Sequence, residues 1–524
     1  MGIKRLGVFV GTDQFHSHRP SGSCSTTRVY LCIPLLALNH LCAMSFEPPR
    51  RQSYSSESNR PGDIELGRLS RAEDAESGSP PGTRAGSIIS VKGDAEGSGL
   101  DLDAKNKGLP IEEPQSPPQF VEGTLQGWLT VCGASLVAMC TFGNIQSFGV
   151  YQAYYTQTLL AGSSPSKISW IGSVQLCLQF TVGIFSGKLF DQGYFHSLMI
   201  SGALLFLFSS FMLSLAKPHE FYQFLLAQGF GMGMGMGCMF LPALSIMSHY
   251  FRRRRAVAMG IVVASGSVGG VIYPIILNKV FPREGLGFPW AVRFIAFINI
   301  AFLVVANLIM KPRWPTRKRA PVDMSQIIHD PPYWVTIIGL FLGFWGIFIP
   351  YFYLQLFSET HGVDASFLTW TLPILNAGAA VGRFMPNFLA DKYGPLNVII
   401  PSGIISSGML WALLGVRSVA GVTLFGLVYG FVSGAFLTLA SPAVAAFTRS
   451  PTLDDIGLRI GISCFFIGLA LLTGNPIAGA ILSSPEYIWW RPLTFACVVI
   501  MAGTLCLVIA RQALVRRKGG VQFV

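Results

Sequence analysis

Gly187-Lys188-Leu189-Phe190-Asp191-Gln192-Gly193 and Asn387-Phe388-Leu389-Ala390-Asp391-Lys392-Tyr393-Gly394 stand 200 residues apart, aspartate to aspartate, each a polar link between two long apolar runs. In both, the aspartate follows Leu-x and a glycine follows within three residues. The same loop in the same place twice is an internal repeat. Related halves around a midplane site are a common way of building a transporter.

Outward from these links, the chain from Trp128 onward alternates apolar stretches with short polar connections. Twelve stretches read as spans, at approximately 128–151, 168–189, 197–216, 221–248, 256–280, 290–310, 333–357, 366–390, 396–416, 419–448, 456–483 and 487–510. Crossing the hydrocarbon core takes about 20 residues. Backbone polar groups in lipid have only each other to bond, so the spans must be helical. The fold class expected is an all-α integral membrane protein with twelve transmembrane helices in two pseudo-symmetric six-helix bundles.

Composition excludes the alternative of several soluble domains. The 524 residues are 51% hydrophobic and 12% charged, against roughly a quarter charged in soluble proteins. Residues 44–126 are rich in Ser, Pro, Gly and Glu and carry 14 acidic and 9 basic residues, net −5, which reads as a disordered cytoplasmic tail. Residues 1–43 hold only a ten-residue apolar run, Val29 to Leu38, and Met44 opens a more ordinary tail, so they are expected to be an over-long gene model. The remaining divisions are a bundle at 127–310, a basic linker at 311–332, a second bundle at 333–512 and a basic tail at 513–524.

The net charge of +12 raises the question of nucleic acid, and its location answers it. Sixteen basic residues fall in the loops on one side of the spans, Arg252 to Arg255 among them, and five on the other. That asymmetry is the positive-inside signature. It places both termini in the cytoplasm and leaves no polyanion-binding arm. A multi-pass protein of the cell membrane, or of an internal one such as the vacuole, is expected. The ten cysteines form no Cys-x-x-Cys pair and the spans hold no cluster of His, Cys and carboxylate, so neither metal nor embedded enzyme chemistry is supported.

Arg383 is the most informative single residue. It precedes Asp391 by eight positions, on the order of 12 Å along a helix. At that depth a guanidinium needs a wet cavity or a partner. The 11 acidic residues after position 126 all fall in loops or at span ends. Two fates remain open to Arg383: binding an anionic substrate, or a structural role in which it bonds backbone carbonyls or reaches the interface as a latch. Among the other polar span residues, Asn144, Gln146, Gln175, Gln179, Gln228, Asn299, Asn376, Tyr351, Tyr429 and Asn475, hydrogen bonding between helices is the ordinary role. Gly229 to Gly237, with methionines between, lacks Gly-x-Gly-x-x-Gly spacing because position 234 is Met. It reads as a close-packing stripe rather than a nucleotide loop.

The two loops resemble the signature of the major facilitator superfamily. Together with Gly127-Trp128, Asn144-Ile145-Gln146 through Gln152, and His249-Tyr250-Phe251-Arg252 through Gly260, the chain over roughly 120–515 looks most like the fungal branch of its monocarboxylate porter family. The resemblance implies that spans one, four, seven and ten line the cavity. That favours Arg383, Asn144, Gln146, Tyr351 and Tyr429 as substrate-binding residues. It also implies gating by Asp191 against the start of span eleven near Arg459, and by Asp391 against the start of span five beside Arg252 and Arg253. Two departures matter. A lysine of span one is replaced by Gln146 and an aspartate of span eight by Ala379, which argues against simple proton–monocarboxylate symport. The resemblance implies a secondary transporter of a small organic anion or amphipathic metabolite, by uptake or by export. It would have no cofactor and would be driven by a gradient, with H+ a candidate coupling ion. A transporter-like nutrient receptor is the alternative.

Overall fold

The computed structural model describes residues 123–251, 254–313, 324–448, 455–482 and 486–522. The expectations for 1–43, for most of 44–126, and for Arg252 and Arg253 lie outside them. The described secondary structure is helical throughout. Eleven segments are long and apolar enough to cross a bilayer: Leu125–Leu159, Pro165–Asp191, Phe195–Ser214, Phe221–His249, Val257–Val280, Gly287–Ile309, Pro331–Thr360, Pro395–Leu413, Val419–Ala445, Ile456–Leu482 and Trp490–Arg517. The sequence led us to expect twelve. The one that falls short is the helix Ala365–Tyr393. Its 29 residues suffice for crossing, but Asn376, Arg383, Asn387, Asp391 and Lys392 lower its hydropathy. In chain order these helices are spans one to twelve, with Ala365–Tyr393 as span eight.

The ends are set by local chemistry. Thr124 accepts from the Gly127 amide at 3.2 Å, Ser164 from Lys167 at 3.3 Å ahead of Pro165, and Ser418 from Gly421 at 3.2 Å. Each satisfies an amide that the first helical turn leaves unbonded. The repeated loops close the same way in both halves. Gly193 and Gly394 have φ of 95° and 91°. Their amides return to the carbonyls of Phe190 at 2.9 Å and Ala390 at 2.8 Å. A side chain at these positive φ values would be strained, so the glycine of each repeat is a helix stop.

Within each half, small residues let helices approach to backbone contact. In span four, Gly229, Gly233 and Gly237 face Ile171, Gln175 and Leu178 of span two, while Gly231 and Gly235 face Ser209 and Phe206 of span three. The i, i+4 spacing thus serves two neighbours from one helix. Span eight meets span ten through glycines on both sides, Gly378 and Gly382 against Leu427 and Phe431, and Gly430 and Gly434 against Leu375 and Ala379. Ala379 is fully buried at this seam.

Contacts between the halves are unevenly distributed along the membrane normal. At the end away from the repeated loops, Phe148 packs on Phe352 with ring centroids 4.7 Å apart. There too, Gln355 donates to Asn278 at 3.0 Å, Ser166 to the Pro476 carbonyl at 2.8 Å, and Tyr353 to the Pro165 carbonyl at 3.5 Å. Toward the repeated loops, the last hydrogen bond between the halves among the described residues is from Arg383 to the Val263 carbonyl, at 3.4 Å. Among the described residues, the hydrogen bonds between the halves thus gather toward the end away from the repeated loops.

Candidate functional site

Spans one and seven both break near the middle of the bundle, at Ser147 and at Phe348. In span seven the cause is Pro350, whose missing N–H and bulky ring end a regular helix. In span one, the Ser147 hydroxyl donates to the Gly143 carbonyl at 2.7 Å and competes with the ladder. The carbonyls at the breaks find partners on other spans. Asn376 donates to the Gln146 carbonyl at 3.5 Å and to that of Gly270 at 2.9 Å. Tyr429 donates to the Ile347 carbonyl at 2.8 Å.

These bonds sort the residues expected to bind substrate. Tyr429 has its hydroxyl taken up by the break in span seven. Asn144 accepts from Gln175 at 3.3 Å. The Gln146 amide reaches back to the Phe142 carbonyl at 3.3 Å and accepts from Ser267 at 3.4 Å. All three are tied into protein contacts. Tyr351 is buried beside Ser433, oxygen to oxygen 3.0 Å.

Arg383 is fully buried. Its one hydrogen bond is the long one to Val263, and its Nε and Nη2 have no partner among the described residues. No described carboxylate pairs with it. Its guanidinium lies 5.4 Å from the centre of the Phe142 ring, which packs edge-on against Phe240 at 4.6 Å and Phe180 at 6.3 Å. Of the two fates left open by the sequence, the carbonyl contact is present, but it satisfies one donor of five. One aromatic ring, Phe142 of span one, faces it from the other half, backed by Phe180 of span two and Phe240 of span four. Chemically this is a cationic centre with apolar walls, suited to a planar or amphipathic anion.

The gate residues depart from expectation. Arg459 is fully buried, but its partners are Asp455 at 2.7 Å and Asp330 at 3.1 Å, both in its own half. Asp191 is not among the described ion-pair partners of Arg459. Asp330 also receives Arg517 at 3.4 Å, and Tyr333 lies under Arg459 at 4.9 Å while donating to its carbonyl at 2.9 Å. Asp191 instead sits in the field of His249, whose ring is 5.5 Å from that of Phe190. Asp391 is exposed and makes no hydrogen bond or ion pair among the described residues. Asp330 and Asp455 escaped the sequence reading. The signal for Asp455 was its i, i+4 spacing to Arg459. Asp330 sat unremarked in the linker, ahead of Pro331-Pro332.

Residues 134–449 match the family model described as Major Facilitator Superfamily. The chain is similar to the MFS-type transporter dbaD of Emericella nidulans, 40% identical over 373 residues, 71% of this chain and 82% of that protein. It is similar to the aspyridones efflux protein apdF of the same fungus, 36% identical over 396 residues, 76% and 80% of the two chains. It is also similar to the agnestins efflux protein AgnL12 of Paecilomyces divaricatus, 35% identical over 398 residues, 76% and 90%. All three are named as transporters or efflux proteins, and none as an enzyme.

Proposed function

We propose that this chain, which belongs to the Major Facilitator Superfamily, exports a small organic anion or amphipathic metabolite by alternating access, with Arg383 as the anion-binding group. The observation that carries the reading is one fully buried arginine with two unpartnered nitrogens facing an aromatic wall from the opposite half. A charge so placed is costly unless something negative visits it. Efflux is favoured over monocarboxylate uptake because relatives similar over most of the chain bear efflux names, and because Gln146 and Ala379 stand where the lactate-carrying pattern has charge.

The cycle follows from the uneven hydrogen bonding between the halves. With both termini cytoplasmic, the end where those bonds gather is extracellular. The cytoplasmic end then parts, with the Arg383–Val263 bond among the contacts released, admitting the anion to Arg383. Binding satisfies the guanidinium across the interface and draws the halves together at that end. The extracellular end then opens. Asp391 engages the basic start of span five only in that second state, where a carboxylate at a helix start is favoured. Driving force comes from the substrate gradient or from a coupled ion. The buried carboxylates Asp330 and Asp455 are already paired with arginine, so a proton crossing with the substrate would ride on the substrate's own acid group.

The test is comparative metabolite profiling of cells and medium, with the gene deleted and overexpressed. Export predicts an acidic metabolite that rises in cells on deletion and returns to the medium with the wild-type chain. Arg383→Gln at equal membrane abundance should fail to restore it. Full restoration by Arg383→Gln would overturn the anion reading.

A further inference from the structure

A cavity of about 560 Å³ lies outside the central pathway, between spans eight, nine and ten, roofed by span twelve and the chain's last described residue. Its walls are Met385 and Leu389 of span eight, Pro401 and Ile405 of span nine, and Phe431 of span ten. All but Pro401 are large hydrophobics left exposed on the outer surface of the bundle, so the cavity opens toward the hydrocarbon. Its other end is polar. There Arg511 and Asn397 meet, the arginine Nε donating to the Asn397 side-chain oxygen. Arg511 Nη2 donates to the Gln522 side chain at 3.1 Å, and Asn397 to the Gln522 carbonyl at 2.8 Å.

Arg511 is half-buried and every hydrogen bond it makes is to a neutral group. Its charge is therefore uncompensated by any described carboxylate. It stands six residues before the end of its helix at Arg517, on the order of 9 Å inside it, which is headgroup depth. From Asn397 to Ile405 the groove descends eight residues of span nine, on the order of 12 Å into the hydrocarbon. A cation at headgroup depth above an apolar groove matches one amphiphile: a negatively charged head with an alkyl chain below it.

We propose that this groove holds one acyl chain of an anionic phospholipid from the leaflet on the side of the termini, with its phosphate on Arg511. Basic pockets between transmembrane helices on that side bind such headgroups. Gln522, itself exposed, straps the head site and is displaced when the phosphate takes its place on the guanidinium. The site is independent of Arg383 and of whatever the central pathway carries.

The test uses the purified full chain in micelles doped with equal amounts of phosphatidylcholine and phosphatidylserine, with retained lipid read by native mass spectrometry. One phosphatidylserine per chain should be retained in preference to phosphatidylcholine by about fivefold or more, the effect of one basic contact at the surface. Arg511→Gln should abolish the preference and Arg511→Lys should keep most of it. Ile405→Trp, which fills the groove from its lipid-facing side, should lower retention of both lipids with Arg511 intact. Arg516→Gln combined with Lys518→Gln should change nothing, which separates the groove from general surface charge. Equal retention of the two lipids, or an unchanged preference in Arg511→Gln, would overturn the proposal. So would full competition by inorganic phosphate together with indifference to Ile405→Trp, since that pattern describes a bare anion site without an acyl chain.

Discussion

Two arginines of the second bundle, Arg383 and Arg459, are both fully buried, yet their surroundings are opposite. Arg459 has Asp330, Asp455 and the face of Tyr333 around it. Arg383 has one distant carbonyl and an aromatic ring. Charge that is neutralised within one half holds that half together, joining the linker end to spans seven, eleven and twelve. Charge left unneutralised at the seam between halves is available to a ligand. Burial alone separates neither role; the location of the nearest carboxylate does.

The largest effect that would test this contrast is on stability. Asp330→Asn leaves Arg459 with Asp455 as its one described carboxylate and Arg517 with none, and should destabilise the protein by at most about 3–5 kcal/mol, the result of removing the sole partner of a buried charge. A fall in the melting temperature of the detergent-solubilised protein, and lower abundance, would show it. Arg383→Gln removes a buried charge that has no partner, so its melting temperature should hold or rise while export is lost. A melting temperature that falls as far as that of Asp330→Asn would erase the distinction between the two arginines.

Smaller changes sharpen it. Phe142→Leu keeps the apolar wall but removes the ring over which Arg383 sits, an interaction worth about 0.5–2 kcal/mol. Export should then need a several-fold higher substrate concentration to half-saturate, with little change in maximal rate. Asp391→Asn should have the smallest effect on stability, since the carboxylate is exposed and makes no bond among the described residues. It should leave melting unchanged while slowing flux. Normal flux in Asp391→Asn would remove Asp391 from the gate.

Much of the architecture was legible in the repeated loops and the apolar runs. Gly193 and Gly394 follow their aspartates because a helix must stop there, and the positive φ at both positions is the physical content of the motif. The glycines of span four were legible as a packing stripe, though not that alternate ones serve spans two and three. Span eight was harder. Its polar residues are the reason it fails a lipid-hydropathy criterion, and they do so because one of its faces meets the other half rather than lipid. Among the candidate binding residues, Arg383 stood out by depth alone. Asn144, Gln146 and Tyr429 were indistinguishable from Tyr351 until the breaks in spans one and seven showed which polar groups the backbone had already engaged.

The sequence by itself determined what lipid enforces locally: which stretches must be helical, to within a few residues at most ends, and that the chain is two related sets of six. Those follow from the cost of an unbonded backbone in hydrocarbon, which acts residue by residue. Only the tertiary structure decided which charge meets which. Asp330 and Arg459 are 129 positions apart, and Arg383 and Phe142 belong to different halves. Electrostatic energy depends on distance in space, and no pattern along the chain fixes that distance before the helices pack.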